Sequence, residues 1–208
     1  MENREIKLYL LRHGETVWNK QKKIQGQLNS PLTEEGIEKL KKTAETLERT
    51  DFQGVYTSHM ERTVETAGII LDKNRKNLEK PVKIEKMREL NEIHFGIWQG
   101  KTYEEIKKEY PQEYDNYFNS PDKYRARVIG GEDLSEGLER FLGGMEKIVS
   151  FEKTRSGSGK ILIITHGTVL ELFINYIKNR RMDNLDERKL IGNGEYKIFS
   201  YDKKVFLL

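Results

Sequence analysis

Two histidines each follow an apolar run that is typical of a buried β-strand. His13 comes after residues 6–11, and His166 comes after residues 161–165. Arg12 precedes His13, which places a nitrogen nucleophile beside a fixed cation. Neutral imidazole attacks phosphorus, and a guanidinium group holds phosphate oxygens in pairs. The two runs therefore predict phosphoryl chemistry at one site built from both ends of the chain.

A second cation, Arg62, falls in the first turn of a predicted helix after the short strand at residues 54–58. A cation at this end of a helix opposes the helix dipole, and an anion lying opposite removes the cost. The pattern predicts that Arg62 takes part in anion binding. A solvated surface arginine would show the same local sequence.

Glu92 lies in an irregular segment, residues 90–100, that also contains Phe95 and Trp98. A carboxyl group in such an apolar loop can protonate a leaving alcohol and then activate water. Glu89 is the competing carboxylate. The aromatic neighbours of His94 favour a structural role for that histidine in a packed turn.

Strands that alternate with helices predict the elements needed to position these side chains. The fold class is α/β, with a doubly wound, mostly parallel sheet flanked by helices. Ligands of such sheets bind beyond the carboxyl ends of the strands, where both histidines are expected. The predicted strands are residues 6–11, 54–58, 82–84 and 161–165, followed by a hairpin of residues 195–201 and 204–208 around Asp202 and Lys203. The predicted helices are residues 34–50 with Thr33 as N-cap, one after residue 58, 132–154 and 168–178.

A single domain of residues 1–208 is expected, with a cap-like insertion at about residues 94–130. Within the insertion, residues 102–119 predict two helical turns broken at Pro111. Aromatic side chains recur there at helical spacing, which favours packing over a binding box. Residues 119–131 are expected to form a loop.

Composition excludes several functions. The formal net charge is +3, from 37 basic and 34 acidic residues, which gives no electrostatic case for nucleic acid. The absence of cysteine excludes disulfides, thiolate catalysis and cysteine-bound metals. No apolar run approaches the length of a membrane span, and the charged N-terminus lacks the features of a signal peptide. We therefore expect a cytoplasmic protein that does not bind membranes.

Taken together, these segments resemble the histidine phosphatase superfamily, also called the phosphoglycerate mutase-like family. The resemblance covers residues 11–16, 29–36, 58–67, 90–100, 130–132 and 165–167. It implies that His13 is the phosphorylated nucleophile and that Glu92 is the proton donor. It also implies that Arg12, Arg62 and His166 complete the phosphate pocket.

The same resemblance implies further contacts with the substrate. Asn19 matches a phosphate-contacting position, and the amide of Gly167 is expected to assist it. Gln25 and Thr16 are expected to line the pocket. Neither a metal nor a cofactor is implied.

The departures from the pattern favour hydrolysis over phosphoryl transfer. Cofactor-dependent mutases usually have arginine where Ile93 stands, and they carry two adjacent arginines in the inserted region. The nearest equivalents here, Lys123, Arg125 and Arg127, are spaced apart. We therefore expect a metal-independent phosphomonoesterase of the histidine acid phosphatase type.

The expected partner of the protein is a small-molecule phosphate ester. The expected oligomeric state is a monomer or a homodimer. Sugar phosphates, nucleotides and cofactor precursors all stay open as substrates. Two alternatives are a cofactor-dependent phosphoglycerate mutase and a non-catalytic phosphate-binding or interaction module on the same fold.

Overall fold

One six-stranded sheet organises the protein. The computed structural model describes residues 5–156, 158–179, 191–202 and 205–207. The strands are β1 (Ile6–Arg12), β2 (Phe52–Thr57), β3 (Ile84–Lys86), β4 (Gly159–Thr165), β5 (Tyr196–Asp202) and β6 (Val205–Leu207). Their order is β3-β2-β4-β1-β5-β6. The pairs β1–β4, β2–β4 and β2–β3 are parallel, whereas β5 is antiparallel to β1 and to β6. The predicted α/β class and mostly parallel sheet are confirmed.

Helices cover both faces of this sheet. They are α1 (Val17–Lys20), α2 (Glu34–Leu47), α3 (Glu61–Lys73), α4 (Arg75–Glu79), α5 (Tyr103–Glu109), α6 (Pro111–Asn119), α7 (Leu134–Ser156) and α8 (Gly167–Asn179). The side chain of Thr33 accepts a hydrogen bond from the Gly36 N–H, as expected of an N-cap, and Glu34 and Glu35 follow in the first turn.

Alternate side chains of β1 enter two separate cores, because successive residues of a strand point to opposite faces. Leu8 and Leu10 pack with α7 and α8, while Tyr9 and Leu11 pack with α2 and α3. Strand β4 divides its side chains in the same way. A strand that is covered on both faces reads as a continuous apolar run, which is the signal that identified β1 and β4 in the sequence.

The third strand differs from the expected residues 82–84. Its pairing with β2 joins Val55 to Ile84 and Thr57 to Lys86, so β3 begins two residues later. This strand lies at the edge of the sheet and is largely exposed, which leaves its apolar pattern weak. In the C-terminal hairpin, Asp202 pairs with Val205, whereas residues 203, 204 and 208 lie outside the described part.

Residues 94–130 fold as short helices against the core of the sheet. Helices α5 and α6 meet at Pro111, as predicted, and two 3-10 turns occupy much of the expected loop. Gly96 has a φ of +49°, and a Cβ there would collide with the Ile129 carbonyl. Gly96, near the start of residues 94–130, therefore packs directly against Ile129 near their end. Among the described residues, no helix combines the length and hydrophobicity needed to cross a membrane.

Candidate active site

A cavity of about 280 Å³ opens at the carboxyl ends of β1 and β4. The parallel register pairs Arg12 with Thr165, so the residues that follow each strand meet at one edge of the sheet. The described residues lining the cavity are Arg12, His13, Asn19, Lys23, Ile24, Gln25, Gly26, Arg62, Glu92, Phe95, Tyr103, Tyr117, Phe118, Gly167, Thr168 and Glu171. We call Arg12, His13, Asn19, Arg62 and Gly167 the phosphate end. We call Lys23, Phe95, Tyr103, Tyr117 and Phe118 the outer wall.

The His13 ring is held in one tautomer. Its Nδ1 lies 2.7 Å from the Gly14 carbonyl oxygen, which can only accept, so Nδ1 carries the proton. The lone pair is then on Nε2. Burial, followed by the charges of Arg62 and Arg12, lowers the pKa of His13 well below 6.5. The imidazole is therefore neutral at neutral pH, which is the state that a nucleophile requires.

The turn after β1 leaves no space for a side chain. A Cβ on Gly14 would lie 2.6 Å from Leu40 Cδ1. The Gly14 N–H donates to Thr66 Oγ1 at 3.1 Å, and Thr66 Oγ1 donates to the Arg62 carbonyl at 2.6 Å. These two bonds tie the segment that carries His13 to the helix that carries Arg62.

Arg62 is a buried cation held by backbone carbonyls. Its side chain is 1% exposed. Nη1 donates to the Leu28 carbonyl at 2.6 Å, and Nη2 donates to the Gly26 carbonyl at 2.7 Å. Burial lowers the pKa of Arg62 to about 10, which leaves the group protonated at neutral pH. Arg62 is therefore buried beside the cavity and is not a solvated surface arginine.

Arg12 is the second cation of the phosphate end. Its Nη1 donates to the Ile191 carbonyl at 2.9 Å. A Cβ at Gly167 would approach the Arg12 guanidinium to 3.1 Å, so a glycine there lets the start of α8 lie close to this cation. The start of α8 therefore lies at the same end of the cavity, where a helix N-terminus favours an anion.

Both guanidinium groups have an unused buried donor. Arg12 Nε and Arg62 Nε have no hydrogen-bond partner among the described residues. Such groups are rare because an unpaired buried donor is costly. Two of them beside a neutral imidazole form a site that suits an oxyanion such as a phosphoryl group.

Glu92 lies at the cavity wall and is 8% exposed. Its Oε1 accepts from the N–H groups of Ile93 and Val169, and its Oε2 accepts from the N–H of Thr168. The carboxylate thus joins the irregular segment to the first turn of α8. Arg140 also binds this segment, because its Nη1 donates to the carbonyls of Glu89 and Asn91 at 2.8 and 3.0 Å.

Asn19 and Thr16 have different positions. Asn19 lines the cavity, whereas Thr16 is fully buried behind it and is absent from the lining. Thr16 is the N-cap of α1, and its N–H and Oγ1 both donate to Asn19 Oδ1. The expected lining role of Thr16 is therefore not what the structure shows. Instead, Thr16 donates to Oδ1 of Asn19, and Asn19 is the residue that lines the cavity.

Asn193 was missed by the sequence analysis. Its Nδ2 donates to the His13 carbonyl at 3.1 Å and to Asn19 Oδ1 at 3.2 Å. It lies in an irregular loop with no periodicity, and it is 174 residues from Asn19 along the chain. In the sequence, Gly194 next to it is typical of a turn, and nothing more marks Asn193 as a site residue.

The outer wall is mostly aromatic. Tyr117 contacts Phe95, Phe118 and Tyr124 in edge-to-face pairs with ring centroids 4.9–5.5 Å apart. Lys23 adds a cation whose ammonium group lies 5.9 Å from the centre of the Trp18 ring. The predicted packing role of these aromatics agrees with their contacts, and some of them also face the cavity.

The family model of the histidine phosphatase superfamily (branch 1) matches residues 8–208. The chain belongs to this superfamily. It is 34% identical to fructose-2,6-bisphosphatase of Saccharomyces cerevisiae over 83% of this chain, and it spans about a third (34%) of that protein's length. It is 31% identical to phosphoserine phosphatase 1 of Hydrogenobacter thermophilus, covering 77% of this chain and 71% of that protein.

Mutases are also among the relatives of this superfamily member. It is 30% identical to the 2,3-bisphosphoglycerate-dependent phosphoglycerate mutase of Parabacteroides distasonis, covering 97% of this chain and 89% of the relative. Among solved structures, Bacillus stearothermophilus YhfR superposes with a TM-score of 0.86 at 32% identity, covering 97% of this chain and 94% of that one.

The structure brings most of the expected site residues to one cavity. Arg12, His13, Asn19, Gln25, Arg62, Glu92 and Gly167 all line it. His166 is fully buried and lies behind Arg62, with its ring centroid 5.3 Å from that of His13. Both of its ring nitrogens have protein partners in this arrangement, and its contact with a phosphoryl oxygen stays a prediction.

A larger cavity, of about 780 Å³, lies elsewhere, along β2, the chain before and within β3, and the C-terminal half of α7. None of the expected site residues lines it. Its buried carboxylate, Glu152, accepts from the Tyr56 hydroxyl at 2.6 Å and pairs with Arg155. The candidate active site is therefore the smaller cavity, because Arg12, Arg62 and His13 line it.

Proposed function

We propose that this protein is a metal-independent phosphomonoesterase that hydrolyses a small phosphorylated metabolite through a phosphohistidine at His13. One observation carries the proposal. A neutral imidazole, with its lone pair placed on Nε2, faces a cavity that also contains two guanidinium groups with unused buried donors. Relatives in the same superfamily include a phosphoserine phosphatase and a fructose-2,6-bisphosphatase, which supports the hydrolase assignment.

The reaction has two steps. His13 Nε2 attacks phosphorus, the bond from phosphorus to the ester oxygen breaks, and Glu92 gives its proton to the departing oxygen. Glu92 then takes a proton from water, the resulting hydroxide attacks phosphorus, and the P–N bond breaks to release inorganic phosphate. Arg12 and Arg62 stabilise the charge on the phosphoryl oxygens throughout. Asn19 and Gly167 also line the cavity, and we propose that the Asn19 side-chain amide and the Gly167 N–H add neutral donors.

The size of the cavity supports a small substrate. At about 280 Å³ it lies at the lower end of the range for ligand pockets. We propose that residues 94–130 act as the cap, because α5 and α6 supply most of the outer wall. The leaving group of the substrate would lie against that wall, with Gln25 between the two ends of the cavity.

Trapping of the phosphoenzyme tests the proposal. Rapid mixing with a ³²P-labelled ester, followed by a denaturing quench, should give acid-labile, base-stable label on the protein. His13→Asn should lose the label and lower turnover by several orders of magnitude, with unchanged circular dichroism. His59→Asn is the matched control, because His59 is exposed. If the His13→Asn variant were still labelled, or were as active as the wild-type protein, the mechanism would be refuted. A wild-type protein that is never labelled by any ester would favour the non-catalytic binding module.

A phosphoglycerate mutase is the second candidate, favoured by the coverage of the mutase relative. The structure supplies an argument against it. Arg127 is 81% exposed and pairs with Asp133 and Glu136, and Arg125 donates to nearby carbonyls. Neither of them, nor Lys123, lines the cavity.

Product analysis with 3-phosphoglycerate, with and without 2,3-bisphosphoglycerate, separates the two functions. Release of inorganic phosphate without any need for the bisphosphate supports the hydrolase. Formation of 2-phosphoglycerate that depends on the bisphosphate and releases no phosphate would establish the mutase instead. A panel of phosphoserine, fructose bisphosphate, nucleotide and sugar esters, ranked by kcat/KM, then defines the leaving group.

A further inference from the structure

A chain of buried polar groups runs behind the phosphate end. His166 Nδ1 lies 3.0 Å from Arg62 Nη2, and His166 Nε2 lies 2.8 Å from Ser58 Oγ. Ser58 Oγ is 2.8 Å from Thr63 Oγ1, which is 2.7 Å from the Met60 carbonyl. The side chains of His166, Ser58 and Thr63 are completely buried.

The direction of each hydrogen bond follows by elimination. A guanidinium group can only donate, so His166 Nδ1 must accept from Arg62 and the ring proton must be on Nε2. That proton is donated to Ser58 Oγ. At the other end, the Met60 carbonyl can only accept, so the Thr63 hydroxyl donates to it. The Ser58 hydroxyl is then left to donate to Thr63.

This direction requires a neutral imidazole. Burial, together with the charge of Arg62 and smaller contributions from His13, Arg12 and Arg140, lowers the pKa of His166 well below 6.5. A proton on Nδ1, whether in the cation or in the other tautomer, would place two donors opposite each other at 3.0 Å.

We infer that Ser58 is a positioning residue for the reaction. By accepting from Nε2 it holds His166 in the tautomer whose Nδ1 accepts from Arg62, and this contact fixes the Arg62 guanidinium at the phosphate end. In this way the His166 ring contributes to the position of Arg62. This inference rests on the proposed function, because the cation that is positioned is the one proposed to stabilise the phosphoryl group.

The chain offers a matched pair of substitutions at the end of β2. Ser58→Ala removes the hydroxyl that accepts from His166 Nε2 and from the Met60 N–H, the latter at 3.1 Å, and that donates to Thr63. Thr57→Val removes the neighbouring hydroxyl, which is equally buried but has no partner among the described residues. Both changes are small and lie at adjacent positions, so a general loss of packing would affect the two variants alike.

Ser58→Ala should lower kcat/KM on the order of 10-fold to 100-fold, below the loss seen when an electrostatic donor is removed outright. Inhibition by vanadate, which resembles the transferred phosphoryl group, should weaken by a similar factor. The ¹⁵N NMR spectrum of wild-type His166 should show the proton on Nε2, and Ser58→Ala should mix the two tautomers. Thr57→Val should keep wild-type kinetics and the wild-type spectrum.

Three results would overturn the inference. The first is a wild-type spectrum with the proton on Nδ1. The second is a Ser58→Ala variant whose spectrum and kinetics equal those of Thr57→Val. The third is a changed tautomer with unchanged kcat/KM and vanadate inhibition, which would show that the tautomer does not position Arg62. If the wild-type protein forms no phosphoenzyme, the proposed function fails while the NMR measurement still decides the tautomer.

Discussion

The phosphate end and the outer wall of the cavity are built in contrasting ways. The phosphate end takes side chains from the exit of β1, from α1, from α3 and from the start of α8, and hydrogen bonds link these distant segments. The outer wall is largely local, because α5 and α6 supply three of its five residues, which pack edge to face. Under the proposed function, the hydrogen-bonded phosphate end would perform the chemistry, and the packed aromatic outer wall would contact the leaving group of the substrate.

The largest effect in this comparison is expected for Glu92→Gln, which removes the proposed proton donor while keeping the shape of the side chain. Esters with poor leaving groups, such as alkyl phosphates, should lose about 10²–10⁴-fold in kcat. 4-Nitrophenyl phosphate should lose much less, because its leaving group needs little protonation. Steady-state kinetics on both esters measure the difference.

Glu89→Gln is the matched control for this prediction, since Glu89 pairs with Lys147 at 2.6 Å outside the cavity. Equal losses on both esters for Glu92→Gln would mean that Glu92 is not the acid. Another group of the cavity would then have to protonate the leaving group.

An intermediate effect should appear in stability against pH. His13 and His166 are neutral when folded, because burial and nearby arginines lower the pKa of each well below 6.5. In the unfolded chain they bind protons near pH 6.5, so stability is retained above that pH and is lost as the pH falls from 6.5 toward the folded-state values. The two groups together should lower the free energy of unfolding by about 2–3 kcal/mol between pH 7.5 and 5.5.

Urea unfolding at a series of pH values measures this loss. His13→Asn should remove about half of the slope below pH 6.5, whereas His59→Asn, at an exposed position, should leave it unchanged. A slope that His13→Asn does not reduce would contradict the neutral state assigned to His13 in the folded protein.

The smallest effect is expected at the outer wall. Lys23→Met removes its cation, so KM should rise for 3-phosphoglycerate, which carries a carboxylate, and stay unchanged for glycerol 3-phosphate. Partly exposed ion pairs contribute about 1 kcal/mol or less, which corresponds to about fivefold or less. Lys22→Met, at the neighbouring exposed lysine, is the control. A fall in kcat for both esters would show that the wall takes part in the chemistry.

Much of the fold and of the site follows from local patterns. The apolar runs of β1 and β4 are unmistakable because both faces of these strands are covered, and the residues at their exits lie at the ligand-binding edge of any parallel sheet. The edge strand β3 was misplaced by two residues because exposure weakens the pattern there. Its register is decided by pairing with β2, a contact that no local sequence contains.

The sequence by itself determined the kind of chemistry to expect, since Arg12 and His13 stand at the exit of a strand, Arg62 stands in the first turn of a helix, and the carboxyl ends of parallel strands meet at one edge of the sheet. The tertiary structure alone decided how each group is used. Thr16 lies behind Asn19 instead of in the wall, and His166 accepts from Arg62 instead of facing the cavity. The reason is that the direction of a hydrogen bond depends on its partner, and the partner of His166 is 104 residues away along the chain.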